Sequence, residues 1–442
     1  MTLEELTKAV EKGKVDTVLL CLADMEGRLQ GKRLTASHFI NEVAKHGAEG
    51  CNYLLAVDVD MDTVSGYAMS SWERGYGDFK LVPDMSTLRP IPWHEGTVLV
   101  MADLAWDDDS EVAASPRQIL RRQLARLAER GWLAYAGTEL EFIVFNDSYE
   151  DAWRAGYRDL EPANLYNIDY SMLGTSRIEP LIRRIRNSMA GAGMTVENSK
   201  GECNLGQHEI NFLYNEALTT CDEHVIYKNG AKEIAAQDGS AITFMAKYNE
   251  REGNSCHIHF SLRGKDDTAI FADSKQTFDR FLAGQLGCMA EMSLLFAPNV
   301  NSYKRFAPGS FAPTAIAWGK DNRTCPLRVV GHGGALRFEN RMPGADVNPY
   351  LAVAAMIASG LHGIDAELPL SPAFEGNAYE ADLPRVPRNL YEARDLFGQS
   401  QVAREAFGQE VVDHYLNRAQ VELDAYERSV TDWERYRGFE RL

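Results

Sequence analysis

Residues 137–145, GTELEFIVF, place Glu139 and Glu141 two positions apart among β-forming residues. Side chains alternate faces along a strand, so both carboxylates point to one side. They repel each other there and resist burial. A divalent cation would satisfy them, and so would the solvated face of an edge strand. Residues 256–262 carry His257 and His259, again two apart and on one face. That spacing suits metal ligation, and it also suits one core histidine beside one surface histidine. Residues 336–344, LRFENRMPG, alternate Arg337, Glu339 and Arg341. Three charges on one face need partners, whereas Leu336 and Phe338 face the other way, so this strand reads as the lining of a cavity. Residues 202–212, ECNLGQHEINF, add Glu202 before a turn and Glu209 on the strand after it.

Five glutamates and a histidine on strand faces suit Mg²⁺ or Mn²⁺ better than a structural zinc, and their number suggests more than one ion. Residues 302–330 supply Arg305, Arg323 and Arg328. Metal ions together with arginines are the requirement of phosphoryl transfer, in which an arginine stabilises charge on the transferred group. An arginine also holds a carboxylate through two parallel hydrogen bonds. No GxxxxGK[ST] phosphate loop or kinase-type glycine loop is present, so a nucleotide would have to bind in another way.

Positioning these groups takes several elements. A helix is expected at residues 3–11, strands at 15–23, 29–34, 53–57 and 96–104, and a helix at 36–46. The Gly-, Ser- and Tyr-rich run 62–77 reads as a loop. The acidic run DDDSE ends a small α+β domain near residues 107–110. Ser115, Pro116 and Gly131 punctuate the next helix, with Leu120, Leu124 and Leu127 along one face. Further strands are expected at 209–213, 241–246, 257–262, 327–330 and 336–341. Helices are expected at 179–192, 277–296 and 350–368, and a charged helical region from about residue 390.

The 442 residues suffice for more than one domain, and 45% hydrophobic with 25% charged residues is ordinary for a globular protein. A net charge of −18 argues against nucleic acid or an anionic membrane as partner. Seven scattered cysteines without a CxxC pair argue against disulfides and thiolate zinc, and fit a cytoplasmic location. The first residues lack the apolar run of a signal peptide, and no stretch is long and apolar enough to span a membrane.

Taken in order, GTELEF, GECNLGQHEIN, HIHFSL, NSYKRFAPG, DNRTCPLR, RFENRMPGADVNPYLA and WERYRGFERL resemble the bacterial-type glutamine synthetase family over nearly the full chain. The resemblance implies an α+β protein with an N-terminal β-grasp domain (1–107) and a catalytic domain on a curved antiparallel sheet (108–442). It implies a homododecamer of two hexameric rings, with each site completed by a neighbouring subunit. It implies ATP, glutamate and an amine as substrates, and two to three divalent ions per site. Carried over by residue, Glu141, Glu202 and Glu209 match one metal site, and Glu139, His257 and Glu339 a second. Glu197, His259, Ser261, Arg328 and Arg337 match ATP contacts. Arg305 and Arg341 match the glutamate carboxylate clamp, Gly253 a backbone contact to glutamate, and Arg323 the group that stabilises the transferred phosphoryl.

Departures from the family pattern concern the amine. Phe311 stands where a flap glutamate closes over ammonium, and Ala68 where an ammonium-binding aspartate is expected. Glu202 and Glu209 are seven apart, a spacing shared with γ-glutamyl-amine ligases. Residues 252–255, EGNS, replace Asn-Gly-Ser-Gly and bring Glu252 toward the amine side. The expected function is therefore an ATP-dependent ligase joining the γ-carboxylate of glutamate to an amine larger than ammonia, such as ethanolamine or a polyamine. Glutamine synthetase itself, with Glu73, Asp62 or Glu252 serving ammonium, is the alternative. A non-catalytic relative is a third.

Overall fold

Apolar alternation builds the first sheet of the computed structural model, which describes residues 1–442. TVLLCLA (β1, Thr17–Ala23) buries Val18, Leu20 and Leu22. It pairs with β2 (Leu29–Thr35), and β3 (Ala48–Cys51), β4 (Asp78–Pro83), β5 (Arg89–Pro90) and β6 (Thr97–Ala105) complete the sheet. The order is β2-β1-β6-β4-β3, with β1 and β6 parallel and β5 on β6.

The second sheet has nine strands. These are β7 (Trp132–Phe145), β8 (Val196–Gly201), β9 (Gln207–Phe212), β10 (Asn215–Glu216), β11 (Ala241–Thr243), β12 (Cys256–Gly264), β13 (Trp318–Lys320), β14 (Leu327–Val330) and β15 (Arg337–Asn340). The path runs β13-β14-β15-β12-β7-β9-β8, antiparallel except at β13/β14, with β10 and β11 on the ends of β7. The expected α+β class, with a mostly antiparallel larger sheet, is the one adopted.

One apolar core runs continuously beneath both sheets. Phe260 stacks on Phe281 within it and Phe338 tilts against both, which fixes β12 and β15 against the Lys275–Gly287 helix. That helix crosses the Pro349–Asp365 helix so closely that a Cβ on Gly284 would lie 2.0 Å from the Ser359 carbonyl. A buried ion-pair hub joins the layers. Arg117, 1% exposed, bonds Asp222 through Nε at 2.9 Å and Nη2 at 2.8 Å, and reaches Asp103 and Asp84. Tyr350 donates to the same Asp222 at 2.7 Å.

Several elements differ from the sequence expectation. The expected strand at 53–57 is a 3-10 turn (Asn52–Leu55), and the strand precedes it as β3. Gly50 allows that pairing, because a Cβ there would meet Leu81 Cδ1 at 2.7 Å. The expected helix at 277–296 stops at Gly287 and resumes only at Ser293–Phe296. The longest helix, Ala217–Gln237, gave no periodic signal, since both its faces are covered and its apolar residues form no single stripe. β8 was also unread, because its four central residues, Glu197 to Lys200, are all polar.

Candidate active site

Strand register assembles the charged residues. Glu139 on β7 lies opposite His257 on β12, and Glu141 lies opposite Glu209 on β9. On β15, Glu339 lies opposite both His259 and Arg328. Directly paired residues share a face, so one sheet surface gathers groups from five strands. Two clusters result, Glu139–His257–Glu339 and Glu141–Glu202–Glu209, each with ligand atoms within 4.8 Å of one another.

The first cluster is tightly ordered. His257 Nδ1 lies 3.4 Å from Glu139 and 3.3 Å from Glu339, while its buried Nε2 has no partner. Burial and the nearby Arg341 push the His257 pKa down to about 4, so the ring is neutral at pH 7 and able to ligate a cation. Burial opposes the charge on Glu139, but hydrogen bonds from His257 and His259 outweigh it and hold the carboxyl ionised. His259 sits between Glu139 (Nε2, 2.9 Å) and the Arg337 Nε–H (to Nδ1, 3.1 Å), so the proton resides on Nε2. Arg341 and Arg328 both donate to the fully buried Glu339, at 2.5 and 3.0 Å.

The second cluster carries excess negative charge. Burial, Glu202 and Glu209 raise the Glu141 pKa, although Ser255 N–H donates to it at 2.8 Å. Burial and the neighbouring carboxylates push Glu209 up to about 7, against the pull of Lys200. Raised carboxylate pKa values and an unpartnered imidazole nitrogen are signs of groups lacking a counter-cation. The all-oxygen and mixed oxygen–imidazole donor sets fit divalent ions of the Mg²⁺ or Mn²⁺ type.

Two cavities flank these clusters. One of about 550 Å³ is lined by Tyr135, Glu197, His259, Ser261, Gly334 and Arg337. The other, of about 700 Å³, is lined by Glu141, Glu202, Glu209, Gly253, Phe311 and Arg323, among others. Glu139, Asn198 and Asn211 border both, so the cavities meet at the first cluster. Arg323 is exposed in the larger cavity with no ion pair of its own. Arg328 and Arg341 line that same larger cavity, Arg328 away from the other expected ATP contacts.

Arg305 lies elsewhere. It is 1% exposed, lines neither cavity, and donates to the Met342 and Arg341 carbonyls at 2.8 Å each. Its stem forms the wall behind Gly253, where a Cβ would meet Arg305 Cγ at 2.6 Å. Ala68 is also remote from both clusters, in an open depression beside Asn52 and Trp106. Sequence reasoning missed Lys200, Asp169 and Tyr170, all of which line the larger cavity. Lys200 was detectable, since it lies two residues before Glu202 in an extended segment.

Residues 113–437 match the glutamine synthetase catalytic domain. The chain belongs to the glutamine synthetase family. Within that family it is 64% identical to the γ-glutamylethanolamide synthetase GlnA4 of Streptomyces coelicolor, covering 99% of this chain and 96% of the relative. It is 38% identical to a glutamate–isopropylamine ligase of a Pseudomonas species, covering 96% and 95%. A solved complex of GmaS with ADP superposes with a TM-score of 0.86 at 26% identity, over 98% of this chain and 99% of that one. The protein is thus an enzyme, a ligase of a family that uses ATP and divalent metal ions. No helix is long and apolar enough to cross a membrane.

Proposed function

We propose that the protein joins the γ-carboxylate of glutamate to ethanolamine, or to a primary amine of similar size, at the expense of ATP. One observation carries the reading: an uncharged Phe311, 58% exposed, lines the cavity beside the Glu141–Glu202–Glu209 cluster at the flap position. A phenyl ring accepts no proton from ammonium and admits a carbon chain. The ethanolamide-forming relative at 64% identity supports the same acceptor.

The smaller cavity suits the nucleotide, with Arg337, His259, Ser261 and Glu197 along its wall. The larger suits glutamate, held by Arg341 and the Gly253 backbone, with Arg305 supporting that wall from behind. Glu139, His257 and Glu339 would hold one divalent ion, and Glu141, Glu202 and Glu209 another, with two to three ions in all. Such ions neutralise phosphate charge. A γ-carboxylate oxygen of glutamate bonds to the γ-phosphorus, and the bond from that phosphorus to the bridging oxygen breaks to release ADP. Arg323 stabilises the transferring group. The amine nitrogen then bonds to the γ-carbon of γ-glutamyl phosphate, and the carbon–oxygen bond to phosphate breaks. The nitrogen loses a proton to a wall carboxylate, for which Glu252 is suited because it belongs to neither cluster.

The same reading includes a division into an N-terminal domain (1–107) and a catalytic domain (108–442). It also includes a cytoplasmic homododecamer of two hexameric rings, in which a neighbour's 62–77 loop, with Ala68, closes the amine side. The test is direct. Purified protein with ATP, Mg²⁺ and glutamate is given ethanolamine or ammonia, and the products are separated by mass spectrometry. γ-Glutamylethanolamide as the dominant product is expected. Efficient glutamine formation from ammonia would support glutamine synthetase instead.

A further inference from the structure

The central residues of β8 are polar, and Asn198, Ser199 and Lys200 line the larger cavity. Lys200 reaches from it into the carboxylate wall. Its ammonium bonds Glu202, lies 3.8 Å from Glu209 and 4.0 Å from Asp169, and sits 4.8 Å over the Tyr170 ring. Its side chain is 19% exposed. Asp169 and the Tyr170 face are the chemistry that would receive a cationic tail on an acceptor. Lys200 already fills that corner. Leaving Glu202 would keep it there, because Asp169 and Tyr170 remain within its reach.

We propose that Lys200 is a specificity residue that restricts the acceptor to monoamines and rejects diamines and polyamines. This rests on the ligase reading above and narrows its acceptor class. The reacting nitrogen must be neutral to attack, so a monoamine brings no lasting charge into the cavity. A diamine keeps its distal ammonium through the reaction, and in this cavity that charge meets Lys200 instead of an open carboxylate. Repulsion between like charges in this cavity selects against the diamine.

The experiment compares ethanolamine with 1,4-diaminobutane in wild type, Lys200→Gln, Lys200→Met and Lys200→Arg, reading each γ-glutamyl product by mass spectrometry. Wild type should favour ethanolamine by about 100-fold in kcat/KM, the neutral variants should lower that ratio about tenfold or more, and Lys200→Arg should keep it within about threefold. A general loss of metal binding slows both reactions alike and leaves the ratio unchanged. An unchanged ratio in both neutral variants, an equal loss in Lys200→Arg, or wild-type parity between the two amines overturns the proposal. Absence of any amide product from wild type would overturn the ligase reading instead. Calorimetry then decides the role of Lys200, using 1,4-diaminobutane titrated into protein holding Mg²⁺ and ADP. Binding tightened about tenfold in Lys200→Gln supports the proposal, and unchanged binding overturns it.

Discussion

Arg341 donates through Nη2 to the backbone carbonyl of Phe311 at 3.2 Å, while its Nη1 bonds Glu339. One guanidinium thus ties the Phe311 segment to the first carboxylate cluster. Phe311 is held at φ +58°, a left-handed conformation unusual for a bulky residue. Its ring is thereby presented to the cavity. Phe311→Glu should shift the preference between ammonia and ethanolamine toward ammonia by roughly tenfold, since a carboxylate there can hold ammonium. Competition between the two amines, read by product ratio, checks it.

Arg323 has no partner to leave stranded, so Arg323→Ala should fold normally. Its loss should lower kcat by roughly 10³-fold with little change in the KM for ATP, as expected for a group acting on the transferring phosphoryl. Steady-state kinetics beside circular dichroism separates this from a folding defect. A proportionate rise in the KM for ATP would assign Arg323 to ground-state nucleotide binding.

Protonation and cation binding compete at the second cluster. Glu209, raised from 4.5 to about 7, holds its proton below about pH 7 in the folded metal-free protein, and Glu141 shifts the same way. A raised carboxyl pKa contributes stability fully below about 4.5 and loses it as pH rises through about 7. The buried His208, His224, His257 and His414 are depressed to between about 3 and 4, so above pH ~6.5 they are neutral folded or unfolded and contribute no slope. Between pH ~6.5 and ~7.5, below the titration of the depressed Lys232 at about 8, the metal-free protein should therefore melt at falling temperature. Added Mg²⁺ should restore more at the upper end, because it binds the deprotonated carboxylates. Thermal melts with and without chelator check both slopes, and Glu209→Gln should flatten them.

Arg117→Met should destabilise the fold by roughly 3–5 kcal/mol, because Asp222 would remain buried and charged without its partner. Denaturant melts of the metal-free variant measure this. The double variant Arg117→Met, Asp222→Asn should recover part of the loss, since it removes the stranded charge as well.

The candidate site was legible because β-strands have a side-chain period of two. Glu139/Glu141, His257/His259 and Arg337/Glu339/Arg341 each showed a polar face by that rule, and the register then brought those faces together. β8 was not legible, because its four central residues, Glu197 to Lys200, are all polar and no alternation survives. Lys200 was missed with it. The Ala217–Gln237 helix was hidden for the opposite reason. It is buried on most sides and satisfies polar residues such as Asp222 internally, which erases the single apolar stripe that marks a surface helix.

Sequence alone determined the chemical inventory: which donors exist and which lie on strands. Those facts are local, set by residue type and short-range spacing. Tertiary structure decided how the inventory is divided. It supplied the physical basis for the division of Glu139 and Glu141 that the family resemblance implied, because β7 pairs with β12 on one side and β9 on the other. It withdrew Arg305 behind Gly253, joined the cavities at Glu139, and set the Lys200 ammonium among the carboxylates. Each of these depends on contacts between residues far apart in the chain, which no local pattern encodes.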